Sequence, residues 1–404
     1  MSLITAHVAI AQGLSKEDIG GKAFHLLEMY QADLPLPPFL ILPRRTLASI
    51  LLPIRSEMEK ICDGLTKAPE QELARSAQQL KQMILSLQIN PTEIAQIHKT
   101  CRAFFGKTYK LAVRSSGIGE DGQNTSFAGI HETELYVDKA NLATSILSSL
   151  SSAWSFPALA YRLANDLSLS QIQYAIVLQQ MIPATRSGVS FSMNLQGNMA
   201  DMLIVAGFGL GEGIVSDQVE TDAFVIDRQS KTIQTQINPK SSQVGYEPDQ
   251  GLHLQALSEE LRDQAVLSEQ EVLTVSDFTF RAEQLLQQPA DIEFSFDEHG
   301  KFHMLQMRPI STIKADELHI LDNTNIVESY PGISLPLSFS FALNAYEKVF
   351  KGASKAFWVS DKKIERYSEV LSHLLAHAYG RVYYRLDNWY RMMALVYSSK
   401  SSLD

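Results

Sequence analysis

The sequence predicts a mixed α+β protein, and three observations support this class. Between Arg45 and Phe105, apolar residues recur at three- and four-residue spacing, which is the period of amphipathic helices. After Gly106 the pattern changes to short β-branched and aromatic runs bounded by Gly, Asn, Asp or Pro, which is typical of strands. Helical patterns then lie between some of these strand patterns as far as Pro309. This mixture favours an α+β class over an all-helical or all-strand one.

The first elements are predicted to be helices. A helix is expected over Gly20–Gln31, and the segment 34–38 (LPLPP) ends it because successive prolines force extended backbone. The helical pattern over Arg45–Phe105 is interrupted near Lys67-Ala68-Pro69 and near Asn90-Pro91, so it predicts three helices.

Strands are predicted to dominate the next two hundred residues. Helices are expected among them at Lys139–Leu150 and Pro157–Asn165, and a long helix is expected over Ser258–Gln288. The expected strands are Leu111–Val113, Leu135–Val137, Tyr174–Leu178, Val189–Phe191, Met202–Val205, Ala223–Ile226, Thr232–Ile237, Asp291–Phe296 and Phe302–Gln306.

The length of the chain predicts two or three domains. It has 404 residues, and a domain typically holds about 100–200. The residue pattern changes near Ser311. After this point helical runs are expected at Phe339–Phe350 and Val370–Leu374. We therefore expect three segments, 1–180, 181–311 and 312–404, the last of them incomplete and mostly helical.

Composition excludes several classes of function. Acidic residues number 45 and basic residues 35, and a net charge of −10 argues against non-specific nucleic-acid binding and against an anionic membrane surface. Apolar runs such as Met202–Leu210 are far shorter than the ~20 residues that span a bilayer, and no basic residue precedes Lys16 to suggest a secretory signal. The two cysteines, Cys62 and Cys101, form no disulfide framework or metal-binding pattern, so we expect a soluble protein of the reducing cytoplasm.

Two segments could bind phosphate. In Gly20-Gly21-Lys22, glycine permits close approach, helix amides point outward and lysine adds positive charge. An ordinary glycine-rich helix entry with a solvated lysine is the favoured alternative when this turn is judged alone. Arg114 ends a strand and precedes a polar loop, where its guanidinium could grip phosphate oxygens. A surface arginine paired with Glu120 or Asp121 is an equally good explanation of that segment.

A third segment suits a metal ion. One predicted strand holds Glu293, and the next leads through Gln306 to Arg308, with a predicted turn at 297–300 between them. Strand alternation allows all three side chains to share one face. A carboxylate and an amide oxygen suit Mg²⁺, which prefers oxygen ligands and bridges substrate phosphates. The alternative is a solvated hairpin face.

Other motifs argue mainly by exclusion. Glycine stands at every second position over 207–213, which predicts a loop or a close backbone approach and matches neither a dinucleotide fingerprint nor a P-loop. The ten histidines form no zinc pattern, and no G-x-S-x-G nucleophile elbow occurs. Ser372-His373 and His377 are expected in a helix with structural roles.

Six ordered motifs between Gly20 and Pro309 give the chain a family resemblance. It resembles the N-terminal ATP-binding domain shared by phosphoenolpyruvate synthase, pyruvate phosphate dikinase and rifamycin phosphotransferase. The motifs are GGKAFHLLEM, LPLPPFLI, LAVRSSGIGEDGQNTSFAGIHETELYV, IVLQQMIPATRSGVSFSMN, GFGLGEGIVSDQVETDAFVID and DIEFSFDEHGKFHMLQMRPIST.

The resemblance implies an ATP-grasp fold, in which two α+β subdomains clamp ATP. Carried over by motif, it implies phosphate contacts from Lys22 and from the catalytic residues Arg114 and Arg308. It also implies that Glu293 and Gln306 bind Mg²⁺. The remaining residues implied to line the ATP site are Gly129 and Thr133, against the nucleotide, and Gln179, beside the adenine.

The resemblance also implies a reaction. In this family a phosphoryl or pyrophosphoryl group passes from ATP to a histidine on a separate swivelling domain, which carries it to a remote acceptor such as pyruvate. The T-x-G-G-x-x-S-H-like motif that holds such a histidine does not occur in this sequence, so the chain looks like the front part of a longer enzyme. Two alternatives stay open: an antibiotic hydroxyl as the acceptor, and a nucleotide-binding regulatory module that no longer catalyses.

Overall fold

A computed structural model describes residues 3–65, 69–117, 121–122, 125–126, 133–165, 167–171, 174–194, 199–310 and 319–400. Side chains are described for the same residues except 121–122, 125–126 and 396–400. Contacts divide the chain into two units, Met1–Ser311 and Thr312–Asp404. The mixed α+β class predicted from the sequence is confirmed.

The described residues of unit 1 form helices in three groups along the chain. Six precede the first long strand, two lie within the first sheet's connections, and three accompany the second sheet. They are α1 Ala6–Ala11, α2 Lys16–Gln31, α3 Arg44–Leu51, α4 Arg55–Asp63, α5 Glu70–Leu85, α6 Pro91–Phe105, α7 Leu142–Ser152, α8 Phe156–Ala164, α9 Gly211–Val215, α10 Glu259–Arg262 and α11 Glu269–Leu286.

The strands of unit 1 form two main antiparallel sheets and two small hairpins. Sheet A has the order β1-β2-β7-β3-β6, sheet B has the order β11-β10-β9-β8-β14-β15, and the hairpins are β12-β13 and β4-β5. The strands are β1 Ile4–Thr5, β2 Phe39–Leu42, β3 Leu111–Gly117, β4 Asp121–Gly122, β5 Thr125–Ser126, β6 Thr133–Val137, β7 Tyr174–Gln180, β8 Ala184–Phe191, β9 Asp201–Phe208, β10 Asp222–Asp227, β11 Ile233–Gln236, β12 Ser242–Glu247, β13 Gly251–Ala256, β14 Ala290–Asp297 and β15 Phe302–Pro309.

Sheet A separates two hydrophobic cores. On β2, Leu40 and Leu42 join a core with the helices of residues 44–164, whereas Phe39 and Ile41 join a core with α2 and sheet B. Every one of these side chains is almost fully buried, and burial of a large aliphatic side chain contributes about 1.5–3 kcal/mol. One face of sheet A is therefore covered by helices, and its other face is turned towards α2 and sheet B.

Strand alternation on β3 decides which side chains face sheet B. Leu111 and Val113 lie in the helical core, so Ala112, Arg114 and Ser116 lie on the opposite face. This places Arg114 on the side of sheet A that is turned towards sheet B.

Helix α2 contacts that same face through a kink. Gly20 has φ 76° and ψ 171°, a backbone conformation that interrupts the helix. A Cβ at Gly20 would collide with the backbone and side-chain oxygens of Ser116. The hydroxyl of Ser116 also accepts a hydrogen bond from the backbone amide of Ala23 at 3.0 Å. Gly20 therefore permits the closest approach of α2 to β3.

The helical predictions were right in kind and wrong in several boundaries. The stretch 45–105 contains four helices instead of three, because Pro53 lies in a short 3₁₀ turn, Leu52–Ile54, that separates α3 from α4. The long helix predicted over Ser258–Gln288 was wrong, since α10 and α11 are separate. Ser268 caps α11 in a reciprocal pair with Glu271, which makes this residue a helix start.

Most of the strand predictions were shorter than the observed strands, and in the described part of unit 1 they missed β1, β2, β4, β5, β12 and β13. The sequence predicted a loop or a close backbone approach over 207–213, and only part of this segment is a loop. Gly207 is paired in β9, Gly209 has φ 81° and lies against the carbonyl of Val244, and α9 begins at Gly211. A positive φ at Gly209 lets the chain turn from sheet B into this short helix.

Unit 2 combines helices with a small sheet. Its elements are β16 Leu321–Asp322, a 3₁₀ turn Ile326–Glu328, α12 Pro336–Ala356, α13 Asp361–Arg366, α14 Ser368–Ser372, β17 Leu375–Ala378, β18 Arg381–Arg385 and α15 Leu386–Lys400. The sheet has the order β16-β18-β17. The helix predicted to hold His373 and His377 was wrong in part, because α14 ends at Ser372 and His377 lies on β17.

Among the described residues, no helix combines the length and the hydropathy that crossing a bilayer requires.

Replacement of Gly20 by alanine is expected to destabilise unit 1 more than the same change at Gly13. Both glycines have positive φ, 76° and 60°, a conformation that costs a residue with a side chain about 1–3 kcal/mol. Only Gly20 would also place its Cβ against Ser116, whereas nothing lies within 4 Å at Gly13. Urea unfolding followed by circular dichroism should show the larger loss for Gly20→Ala. Equal losses in the two variants would contradict the close contact between α2 and β3.

Candidate functional site

One half of the candidate site is a polar face on sheet A. Arg114 on β3 is paired in register with Thr133, the first residue of β6. On the other side, Gln179 of β7 is paired with Ala112, two residues before Arg114. Residues in register or two apart lie on the same face, so these polar side chains share the face turned towards sheet B. Thr133 is exposed, whereas Arg114 and Gln179 are buried.

The other half is the hairpin β14–β15 at the edge of sheet B. Its register pairs Glu293 with Gln306 and Asp291 with Arg308. All four side chains therefore share one face, as the spacing of three of them predicted. The predicted hairpin also exists, with its turn between Asp297 and Phe302.

A β-bulge interrupts this hairpin next to the polar pair. Glu293 is paired with Gln306, but Phe294 is paired with Met304, so Leu305 is the extra residue of β15. The carbonyl oxygen of Leu305 accepts hydrogen bonds from Nη1 of Arg114 at 2.8 Å and from Nε2 of Gln179 at 3.3 Å. The bulge thus supplies a backbone acceptor to sheet A.

Arg114 joins the two halves of the site. Its Nη1 donates to Oε1 of Gln179 at 2.7 Å, and its Nη2 donates to Oε2 of Glu293 at 3.2 Å and to Oε1 of Gln306 at 2.5 Å. The Arg114 side chain is 10% exposed and that of Glu293 is 25% exposed, so solvent screens this ion pair only in part. We call Arg114, Gln179, Glu293, Gln306 and the Leu305 carbonyl the Arg114 cluster.

A second arginine on the hairpin is held by a carboxylate that the sequence analysis did not single out. Nε of Arg308 donates to both carboxylate oxygens of Asp291, at 2.7 and 2.9 Å. Asp291 is almost fully buried, whereas the side chain of Arg308 is 36% exposed. Asp291 stands two residues before Glu293, so strand alternation was the signal that could have identified it.

The structure describes two further predicted site residues, Lys22 and Thr133. Lys22 is half-buried on α2, two residues after the glycine that contacts Ser116. Ser116 in turn follows Arg114 by two residues on the same face of β3. Thr133 is next to Arg114 in the sheet. Gly129 lies outside the described residues.

The donor set fits a hard divalent cation. Oε2 of Glu293 and Oε1 of Gln306 converge on one cationic nitrogen of Arg114, so both oxygens are directed at a single point. One carboxylate and one amide are the kind of protein ligands that Mg²⁺ uses when waters and substrate phosphates complete its shell. Within the described part of the chain there is no group of three or more His, Cys, Asp or Glu that could hold a metal by itself.

The two thiols are unsuited to nucleophilic chemistry. Burial raises the pKa of Cys62 to about 11 and that of Cys101 to about 12. At neutral pH both therefore remain protonated, and the thiolate is the reactive form.

The turn of the β14–β15 hairpin contains a hydrogen-bonded carboxylate, that of Asp297. Nε2 of His303 lies 2.9 Å from Oδ2 of Asp297. This hydrogen bond, together with those from the backbone amides of Lys301 and His299, lowers the pKa of Asp297 to about 2. The carboxylate therefore stabilises the turn at neutral pH and holds the two strands of the candidate site together.

Comparison with known proteins adds the following. The family model described as "Pyruvate phosphate dikinase, AMP/ATP-binding domain" matches residues 16–326. The chain is 27% identical over 320 residues to a "Probable phosphoenolpyruvate synthase" of Methanocaldococcus jannaschii, covering 76% of this chain and 27% of that protein. It is 31% identical over 306 residues to "Prodigiosin synthesizing transferase PigC" of Serratia marcescens, covering 74% of this chain and 32% of that protein.

These matches cover only part of each relative. The chain spans between about a quarter and just under half of the length of the first curated relatives it matches. Among solved structures, D-alanyl-alanine synthetase A from Vibrio cholerae is similar at a TM-score of 0.29 and 8% identity, with 71% of this chain and 54% of that chain covered.

Replacement of Gln179 by leucine is expected to lower the free energy of unfolding by about 1–3 kcal/mol, because a buried arginine loses an acceptor that leucine cannot replace. Gln180→Leu on the same strand is the matched control, and it should cost less because Gln180 is only half-buried. Urea unfolding measures both. A larger loss in the control would contradict the role of Gln179 in the Arg114 cluster.

The hydrogen-bonded carboxylate of Asp297 in the hairpin turn predicts a pH dependence of stability. Because the folded pKa of Asp297 is about 2, below the ~3.9 of an unfolded aspartate, its stabilising effect is complete above about pH 4. It is lost as the pH falls towards 2. The stability difference between wild type and Asp297→Asn should therefore be largest at neutral pH and shrink between pH 4 and pH 2. Glu298→Gln, in the same turn, is the control, and a pH-independent difference for Asp297→Asn would contradict the prediction.

Proposed function

The chain belongs to the pyruvate phosphate dikinase AMP/ATP-binding domain family, and from this premise we propose that unit 1 binds Mg²⁺-ATP and transfers a phosphoryl or pyrophosphoryl group from it. The observation that carries the proposal is the Arg114 cluster. An arginine from sheet A meets a carboxylate and an amide from sheet B, so cationic and metal-binding groups from two elements converge where the sheets meet. Phosphoryl transfer depends on such positioning and charge neutralisation more than on covalent help from side chains.

The proposed phosphate contacts come from three cationic side chains. Arg114 and Arg308 supply planar forks that match phosphate oxygens, and Lys22 supplies a point charge from α2. Asp291 holds the Nε edge of Arg308 through both of its oxygens, which fixes the direction of the guanidinium. Gly129, Thr133 and Gln179 are proposed to lie along the rest of the nucleotide. In this arrangement sheets A and B belong to the two halves of an ATP-grasp clamp, with segments 1–180 and 181–311 as its subdomains.

Mg²⁺ is proposed to be held by Glu293 and Gln306, whose oxygens converge on one point. When bound there, the ion would neutralise charge on the phosphates that complete its coordination shell. Glu293 supplies the negative charge that a divalent cation needs, and Gln306 adds a neutral oxygen across the strand pair. A module that only recognised a protein partner would have no use for this pair, so we favour catalysis over a purely regulatory role.

The acceptor is proposed to be a histidine on a separate domain, which passes the group to pyruvate as in the synthesis of phosphoenolpyruvate from ATP, pyruvate and water. The names of the relatives support a division of labour. A probable phosphoenolpyruvate synthase and a prodigiosin-synthesizing transferase share this region although their names describe different activities. We therefore assign the nucleotide chemistry to this region and the choice of acceptor, pyruvate or an antibiotic hydroxyl, to parts of those proteins outside it.

Because ATP is the substrate, we propose the cytoplasm as the compartment.

Calorimetric titration of Mg²⁺-ATP tests the proposal. The wild-type chain is expected to bind in the micromolar range, with GTP and AMP as comparators. Lys22→Ala, Glu293→Ala and Arg308→Ala are each expected to weaken binding by ~10-fold or more, since a lost charged contact is worth about 1.5–3 kcal/mol.

Arg228→Ala is the matched control for these variants. Arg228 makes a half-buried ion pair with Glu283 at 2.8 Å elsewhere in unit 1, so its loss removes a comparable contact away from the Arg114 cluster. It should leave Mg²⁺-ATP affinity unchanged. Folded wild-type protein that binds no nucleotide, or unchanged affinity in all three site variants, would contradict the proposed site.

A further inference from the structure

The two oxygens assigned to the metal ion already have a cationic partner within the chain. Nη2 of Arg114 donates to Oε2 of Glu293 at 3.2 Å and to Oε1 of Gln306 at 2.5 Å. We propose that the Arg114 guanidinium is an internal substitute for the divalent cation. It occupies the point between the Glu293 and Gln306 oxygens, so that the pair is closed to metal ions, until nucleotide phosphates bind the guanidinium instead. This inference rests on the proposed function, because it takes the same pair as the metal ligands.

Arg114 and a metal ion cannot use this pair at the same time. Mg²⁺ requires oxygen ligands at about 2.0–2.1 Å, and the two oxygens are directed at the point that Nη2 occupies. A divalent ion between them would lie within a few ångströms of the guanidinium charge, where like charges repel strongly in a partly buried site. Binding of the ion therefore requires Arg114 to move.

The position of Arg114 is held from its other side. Nη1 donates to Oε1 of Gln179 at 2.7 Å and to the carbonyl oxygen of Leu305 at 2.8 Å. Leu305 is the bulge residue of β15, and Gln179 donates to the same carbonyl. The fork is thus held at both nitrogens, and the Arg114 side chain is only 10% exposed. Arg114 is therefore held in one specific position between the two sheets.

Phosphate can release the pair because it is the stronger partner for arginine. Phosphate oxygens accept two parallel, charge-assisted hydrogen bonds from one guanidinium, and their charge exceeds that of a single carboxylate. When Arg114 turns to the phosphates, Glu293 and Gln306 are left facing the same phosphates, as the ligands of an ion. Nucleotide binding then promotes metal binding, and linkage requires the metal to promote nucleotide binding equally. The expected property is a site that rejects free divalent cations.

Binding of Mn²⁺ alone, followed by electron paramagnetic resonance without nucleotide, tests the inference. The wild-type chain should bind weakly. Arg114→Gln should bind at least ~10-fold more tightly, because apparent affinity rises in proportion to the fraction of molecules with an open pair. Arg228→Gln is the matched control and should not gain affinity, since its partner Glu283 lies outside the cluster. Adding Glu293→Gln to Arg114→Gln should abolish the gain.

The wild-type titration alone keeps the inference falsifiable if Arg114→Gln fails to fold. Tight Mn²⁺ binding by wild type that is lost in Glu293→Gln would overturn the inference. So would Arg114→Gln protein that is folded by circular dichroism and gains no Mn²⁺ affinity.

A separate arm distinguishes this inference from the proposed function. Binding of the fluorescent analogue trinitrophenyl-ATP to the wild type reports the nucleotide site. A gain of Mn²⁺ affinity in Arg114→Gln without analogue binding supports closure of the pair and overturns the proposed function. Analogue binding without the gain supports the proposed function and overturns closure.

Discussion

The bridge made by the Arg114 guanidinium is the interaction on which the candidate site depends. One nitrogen bonds to sheet A's Gln179 and to the Leu305 backbone, and the other bonds to Glu293 and Gln306 of sheet B. A lysine could not reproduce this, because its single ammonium group lacks the planar fork that reaches both sets of acceptors. The geometry of the site therefore follows from the shape of one side chain and from the surfaces that present its partners.

Those surfaces are set by backbone features. Alternation on β3 turns Leu111 and Val113 into the helical core and so turns Arg114 to the other face. On the hairpin, the bulge at Leu305 presents a carbonyl to sheet A while keeping Glu293 and Gln306 in register. The kink at Gly20 brings α2 against β3 near the same face. Each feature is local, and together they assemble polar groups from chain segments almost 300 residues apart.

The bridge made by Arg114 also connects the structure to the proposed chemistry. Buried arginine, carboxylate and amide groups satisfy one another, so the cluster is stable, yet each has a stronger partner in a metal–nucleotide complex. In the arrangement that we propose, these groups hold one another until nucleotide binds, and this exchange of partners would couple metal binding to nucleotide binding. Family membership supports a role in nucleotide chemistry, and the short coverage of the relatives leaves the acceptor to other parts of those proteins.

Pattern alone was enough for the class of the fold and for most strands of unit 1. Short β-branched runs identify strands wherever one face is buried, and alternation correctly grouped Glu293, Gln306 and Arg308 on one face of a hairpin. The break before α11 was missed although a local signal marks it, the capping box of Ser268 and Glu271. A distant contact lies at the same break, a hydrogen bond from the amide of Val266 to Oδ2 of Asp222, 44 residues earlier in the chain.

The sequence by itself determined which residues carry charge, which strands form and which family the chain resembles, because composition, periodicity and motif order are properties of the chain. Only the tertiary structure decided that Arg114 of sheet A bonds to Glu293 and Gln306 of sheet B. It also decided that Asp291 orients Arg308. These pairings depend on strand register, on one bulge and on how two sheets meet, and no local pattern encodes the distance between residues separated by almost 200 positions.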